Sequence, residues 1–204
     1  CKTCSRGTVS NAGATECSSC APNTYVQPSC PGPYTYYEVI GSCYYISPTA
    51  LSWDDAKDFC LSQNNGWLLT VKDRNENNFL KSTLVADTHY WIGINDRTLE
   101  GPWTWDHLSS AYTNWDVGEP DNLNNADCGS IMNGLWYDTT CATLVSHVCE
   151  TDAFFTTCQN CPSGTASYLG ASVCCRDGFY AAPGSLVCSM CDGGFFALAG
   201  ASNC

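Results

Sequence analysis

The residues best able to do chemistry in this chain are carboxylates and cysteines. A dense polar stretch runs from Asn114 to Asp127, with Asp96 and Glu100 before it and Asp138 after it. Clustered carboxylates present hard oxygen ligands, which suit calcium and its demand for roughly six to eight oxygens. The histidines are different. His89, His107 and His147 stand apart, with no His-x-x-x-His and no Gly-x-Ser-x-Gly arrangement. Neither a zinc hydrolase nor a serine nucleophile is therefore signalled, and catalysis is not expected.

Charge narrows the partners further. Twenty acidic residues against 8 basic ones give a net charge of −12. Such a surface repels phosphate backbones and anionic lipid heads, so nucleic acid is excluded as a partner. No apolar run approaches the ~20 residues of a membrane span, so no membrane insertion is expected of this segment. No Asn-x-Ser/Thr sequon occurs, which leaves Ser and Thr as the sites open to glycosylation. The chain begins on Cys1 and ends on Cys204 without an initiator Met, as expected of a processed chain or a segment of a longer one.

The 17 cysteines in 204 residues point to an oxidising compartment, hence a secreted or cell-surface location. Four stretches share the pattern Cys-x2-Gly-x5-Gly-x3-Cys: Cys4 to Cys17, Cys161 to Cys174, Cys175 to Cys188 and Cys191 to Cys204. Loops this small cannot bury a core, so cross-links must hold them, each stabilising its loop by about 3 kcal/mol on the chain-entropy model. Zinc is the competing reading, since Cys1, Cys4, Cys17 and Cys20 are spaced much like a zinc ribbon. The adjacent pair Cys174–Cys175 favours the loops: the Cys-x2-Cys clip is lost there while both flanking loops keep their length. The pattern resembles the cysteine-rich repeats of ephrin-receptor-like and tumour-necrosis-factor-receptor-like ectodomains, which implies a tandem, rod-like stalk.

Positioning the carboxylates falls to the segment between these repeats. Ser52-Trp53-Asp54-Asp55 reads as a capped helix start, with Trp53, Ala56 and Cys60 on one face. Asp73-Arg74-Asn75-Glu76 repeats the signature, with Phe79, Leu80 and Leu84 as the apolar stripe. Strand-like runs are Cys43 to Ile46, Trp67 to Leu69, Tyr90 to Ile94, Trp103 to Trp105 and Leu144 to Cys149. Two helices, short antiparallel strands and one long loop describe an α+β domain. The expected division is 1–29 for N-terminal repeats, 30–150 for this domain and 151–204 for C-terminal repeats.

Motifs in the same segment carry a second resemblance. They are Trp91-Ile92-Gly93-Ile94, Glu100-Gly101-Pro102-Trp103-Thr104-Trp105, Gly118-Glu119-Pro120-Asp121, Asp127-Cys128, Leu135-Trp136-Tyr137-Asp138, Cys141 and Cys149-Glu150. In this order they resemble the C-type lectin domain in its long form. The resemblance implies the bridges Cys60–Cys149, Cys128–Cys141 and Cys30–Cys43. After these and the four loops, Cys1, Cys20 and Cys158 remain; a Cys20–Cys158 bridge would make the lectin domain an insertion within one repeat, with Cys1 pairing upstream.

The resemblance also implies two calcium positions. Glu119, Asp121 and Asp138 match the carbohydrate-binding ligands, with a cis proline between the first two. Tyr137 stands where the family has Asn, and Ala126 where it has Glu; Asn124 or Asn125 is the candidate replacement. Asp96, Glu100, Asn122 and Asp127 match a second, structural position. Trp91, Trp103, Trp105 and Trp136 are expected in the core, whereas Trp115 and Tyr137 are the candidates to stack on a sugar. The implied function is extracellular binding or adhesion, with calcium as cofactor and a glycan or protein as ligand. The alternative is a structural subunit of an extracellular fibre or coat, packing against neighbouring copies.

Overall fold

A computed structural model describes residues 8–9, 18–22, 24–26, 28–37, 40–153, 158–161, 163, 165–166, 174–175, 179–180 and 188–191. Two compact units result: Cys30–Asp152, and Cys1–Ser29 together with Ala153–Cys204. Strands run in the order β1 (Thr8–Val9), β2 (Ser18–Ser19), β3 (Thr24–Val26), β4 (Thr35–Tyr37) and β5 (Ser42–Leu51). Next come α1 (Trp53–Ser62), β6 (Trp67–Leu68), α2 (Arg74–Thr83), β7 (Tyr90–Asn95) and β8 (Thr104–Trp105). The chain continues with β9 (Cys128–Met132), β10 (Leu135–Thr139), β11 (Val145–Thr151), β12 (Cys158–Asn160), β13 (Phe179–Tyr180) and β14 (Ser189–Met190).

The unit Cys30–Asp152 is the α+β domain. Its sheet has the order β10-β9-β7-β11-β5-β4, with β6 added to β11 and β8 to β7. Only β7 and β11 pair in parallel among these strands, with Ser146 opposite Tyr90 and His147 opposite Trp91. Both helices begin where side chains supply the missing acceptors. The Ser52 hydroxyl accepts the Asp55 N–H at 3.2 Å, and Asp73 accepts from Asn75 and Glu76 at 2.8 and 2.9 Å. Helix α1 buries Trp53, Ala56 and Cys60. Helix α2 differs from its expected stripe: it buries Glu76, Asn77 and Leu80, while Phe79 and Leu84 are only partly buried against the core. Polar groups can take that face because each finds partners. Asn77 accepts from the Trp136 indole at 2.9 Å and donates to the Gly134 carbonyl at 2.8 Å, and Glu76 accepts from the Tyr44 hydroxyl.

The core gathers Leu69, Val71, Leu80, Ile92, Ile94, Ile131, Trp136 and Val148. Gly93 sits where backbones meet, since a Cβ there would lie 2.7 Å from the Leu68 carbonyl oxygen. Strands β4, β9 and β10 were not among the strand-like runs. β9 and β10 form a hairpin turning at Asn133 (φ 52°) and Gly134 (φ 79°). The dipeptide Asn-Gly signals this turn in the sequence.

Disulfides join Cys30–Cys43, Cys60–Cys149 and Cys128–Cys141, with Cα separations of 5.7, 5.4 and 5.2 Å. In the other unit Cys161–Cys174 and Cys175–Cys188 are bonded, and Cys20 and Cys191 are also disulfide-bonded. Cys1, Cys4, Cys17, Cys204 and the Cys158 side chain lie outside the described residues. In that unit β3 pairs antiparallel with β12, placing Val26 opposite Cys158 and Thr24 opposite Asn160. Short ladders also join β1 to β2 and β13 to β14.

Candidate calcium and ligand-binding site

The polar stretch is a long loop between β8 and β9. Its first limb is tied to β10 by backbone bonds, Trp136 N–H to Asn114 and Asp116 N–H to Trp136, both at 3.0 Å. A turn then closes from Glu119 N–H to the Asp116 carbonyl at 3.1 Å, with Gly118 at φ 94°. The Glu119–Pro120 peptide is cis. Beyond it Asn122, Asn124 and Asn125 all adopt positive φ, a conformation Asn tolerates better than most residues. The Asn122 N–H donates to Asp138 at 2.5 Å, pinning the loop to β10 a second time.

Two carboxylate clusters result. In the first, ligand atoms of Asp96, Glu100 and Asp127 lie within 4.8 Å of one another. Asp96 is only 4% exposed, and its Oδ1 and that of Asp127 are buried without a hydrogen-bond partner. The other Asp96 oxygen accepts from Gly101 N–H at 2.9 Å. Loss of solvent and the nearby Asp96 and Asp127 charges raise the Glu100 carboxyl above its ordinary pKa. Asn122, the fourth expected ligand, instead spans the cluster: its amide donates to Glu100 at 2.8 Å and its carbonyl accepts from Ala126 N–H at 3.1 Å. Asn125 donates to Asp127 at 2.8 Å.

In the second cluster Glu119, Asp121 and Asp138 likewise converge within 4.8 Å. Burial, then the hydrogen bond and charge of Asp138, push Glu119 up to about 7. Backbone N–H groups already occupy part of this set: Glu119 accepts from Asp138 at 3.4 Å and Asp121 from Leu123 at 2.8 Å. No Lys or Arg occurs between Arg97 and Arg176, and Arg97 is engaged by Asp54 at 2.5 Å. Neither cluster therefore has a basic neighbour in its own segment to balance it.

The two donor sets differ in how well they suit calcium. The first fits: buried carboxylate oxygens lacking any donor are what a hard cation satisfies. The second has three carboxylates but lacks the amide carbonyl at 137. Tyr137 turns its hydroxyl to Asp116 at 2.7 Å and sets its ring against His89. That bond holds Asp116 below the ordinary carboxylate range and pushes Tyr137 up to about 12.

Both candidate sugar platforms are part-buried and engaged by neighbours. Trp115 packs edge-on against Trp103 and Trp136, and Tyr137 is held between His89 and Asp116. Trp91 and Trp136 are fully buried, while Trp103 and Trp105 are partly buried against the core. No spacing in the sequence marks the buried carboxylates Glu76 and Glu150, or Lys72 between them, as a cluster. Glu150 follows Cys149 inside a core strand, the one signal that its charge is buried.

Residues 49–151 match the family model described as the Lectin C-type domain. The chain belongs to the C-type lectin domain family. It is 35% identical over 124 residues to the human protein "C-type lectin domain family 17, member A", matching 60% of this chain and 32% of that protein. To "Perlucin-like protein" of Mytilus galloprovincialis it is 34% identical over 131 residues, matching 59% of this chain and 82% of that one. The chain thus spans about a third of the first relative's length and most of the second's. Among solved structures it is similar to the mouse scavenger receptor C-type lectin carbohydrate-recognition domain. The identity is 30%, the TM-score 0.56, and the match covers 61% of this chain and 98% of that one. Members of the family are non-enzymatic binding proteins, and residues 49–151 form such a domain. They typically bind calcium, yet a "calcium-independent type II antifreeze protein" shares the fold at TM-score 0.57 and 23% identity.

Proposed function

We propose that this chain is a calcium-ordered recognition module of a secreted or cell-surface protein, carried on cysteine-rich repeats of the ephrin-receptor-like and tumour-necrosis-factor-receptor-like kind. The observation that carries the reading is the pair of buried, unpartnered oxygens of Asp96 and Asp127 beside Glu100. Bound calcium would supply the positive charge these carboxylates lack, and Asp96, Glu100 and Asp127 are the residues that would hold it. Asn122 then transmits order to the rest of the loop, because it bonds Glu100 through its side chain and Asp138 through its backbone. Glu119, Asp121 and Asp138 face the ligand in this reading, and carboxylates so placed accept hydrogen bonds from the hydroxyls of a glycan. Among the described residues no helix is long and apolar enough to cross a membrane.

The experiment is limited proteolysis of the loop 114–127 with calcium and with chelator, paired with glycan-array binding under both conditions. Faster cleavage in chelator and calcium-dependent glycan capture are expected. Unchanged cleavage would remove calcium from the account, leaving disulfides and packing to hold the loop. A second reading, a structural subunit of an extracellular fibre or coat, is favoured by one observation: the Tyr137–Asp116 bond occupies the position of a sugar-site ligand. Calcium-protected loops with no glycan captured on the array would select it.

A further inference from the structure

Beneath α2, remote in sequence from the loop, two buried carboxylates share one lysine. Glu76 and Glu150 are 2% and 1% exposed. The Lys72 ammonium contacts Glu150 Oε1 directly and lies 3.7 Å from Glu76 Oε1. The remaining oxygens are individually held. Glu150 Oε2 accepts from the Trp67 indole N–H at 3.2 Å and from the Thr70 backbone N–H at 3.4 Å. Glu76 accepts from the Tyr44 hydroxyl and, through Oε2, from the Lys72 backbone N–H at 2.6 Å. Glu150 Oε1 meets the Lys72 amine, which also lies beside Glu76, and Oε2 sits between two N–H donors, as the oxyanion of an acyl transfer does.

We propose that Lys72 and Glu150 become joined by an intramolecular isopeptide bond, with Glu76 as the proton-transferring group. The ammonium proton of Lys72 passes through Glu76 to the Glu150 carboxylate, leaving a neutral amine and a carboxylic acid. The amine lone pair attacks Glu150 Cδ, and the carbonyl π pair moves onto Oε2 between the Trp67 and Thr70 N–H groups. Glu76 takes a proton from the nitrogen and returns it to Oε1. As the carbonyl re-forms, the C–Oε1 bond breaks and water leaves. One C–N bond is made, one C–O bond is broken and one water is released; no oxidant, reductant or activating group is consumed.

The site suits each step. Holding amine and carboxyl in contact replaces an encounter in solution by an intramolecular reaction, for which effective molarities reach about 10⁵ M or more. Burial raises Glu76 above the ordinary carboxylate range, which suits a group that must carry a proton. The Lys72 side chain is 38% exposed, so the released water has a way out. The product would fasten the residues leading into α2 to β11.

Intact mass and peptide mapping of the full chain, reduced and denatured after folding, test the idea. The expected mass is lower than that of the sequence by one water. Trypsin should fail to cut after Lys72, and a branched peptide containing both Lys72 and Glu150 should appear. Mapping is needed because Asp177-Gly178 and Asp192-Gly193 can also lose water. Lys72→Arg keeps the cation but removes the nucleophilic amine, so its map should show no branch. Glu76→Gln, folded or not, should lack the branch as well. Full sequence mass with normal cleavage at Lys72 in the folded wild-type chain overturns the proposal, and leaves Lys72 as an ion-pair partner only. A branch persisting in Glu76→Gln overturns the role given to Glu76.

Discussion

Acid should weaken this domain through His147, and the size of the effect can be worked out. The imidazole is fully buried, edge-on to Phe59 at 5.0 Å between ring centroids, beside the Cys60–Cys149 bridge. Neither nitrogen makes a well-formed hydrogen bond. Burial, offset only in part by the Thr49 backbone, lowers its pKa from 6.5 to about 4. The folded pKa lies below the unfolded one, so the unfolded chain takes up the proton first as pH falls. The stability at stake is complete above pH 6.5, declines from there down to about 4, and is lost below it. At ~1.36 kcal/mol per pKa unit, the difference amounts to roughly 3 kcal/mol. Glu119 works in the opposite sense. Its pKa is raised to about 7, so protonation on acidification relieves the folded state, although solvent exposure reduces the effect. The comparison that isolates His147 is therefore wild type against His147→Leu, in chelator, by urea unfolding with disulfides intact. Between pH 7 and 4 the stability of wild type relative to the variant should fall by about 3 kcal/mol, because the carboxylate contributions cancel. A difference that stays constant across this range would refute the assignment of a neutral, buried imidazole.

Other perturbations probe the loop and the sheet. Asp96→Asn should abolish the rise in Tm on calcium addition while leaving Tm in chelator equal or higher, since one of three crowded negative charges is removed; thermal scans in both conditions check it. Tyr137→Phe removes the bond to Asp116 and should lower stability by about 1 kcal/mol, read from urea midpoints, with faster proteolysis near Val117. Gly93→Ala drives a methyl into the Leu68 carbonyl and should destabilise by roughly 1–3 kcal/mol, again by urea midpoint.

Much of the architecture is legible because helix signals are local. Ser52 and Asp73 cap the helices that their spacing announces, and the Trp91–Ile94 run becomes the central β7. The hairpin of β9 and β10 is marked in the sequence only by its Asn133-Gly134 turn, since its strands mix buried and exposed residues without a clean alternation. The buried face of α2 could not be read from apolarity. Glu76 and Asn77 are interior only because Tyr44, Lys72, Trp136 and Gly134, distant in sequence, supply their partners. The carboxylates of the loop were nameable one by one. Their arrangement depends on the turn at Asp116, the positive φ of Asn122 and the diversion of Tyr137, none of which residue type alone dictates.

The pairing of β5 with β11 has a mechanical consequence. Thr151, at the end of β11, lies opposite Cys43, at the start of β5, and Cys43 is bonded to Cys30. The domain is thus entered and left at one corner. Tension applied to its two ends would enter through the Cys30–Cys43 bridge and the neighbouring rungs of the β5–β11 ladder. The carboxylate loop, carried on β8, β9 and β10, would stay outside the path of the load. A domain wired in this way can be pulled by its tethers while its carboxylate loop keeps its shape.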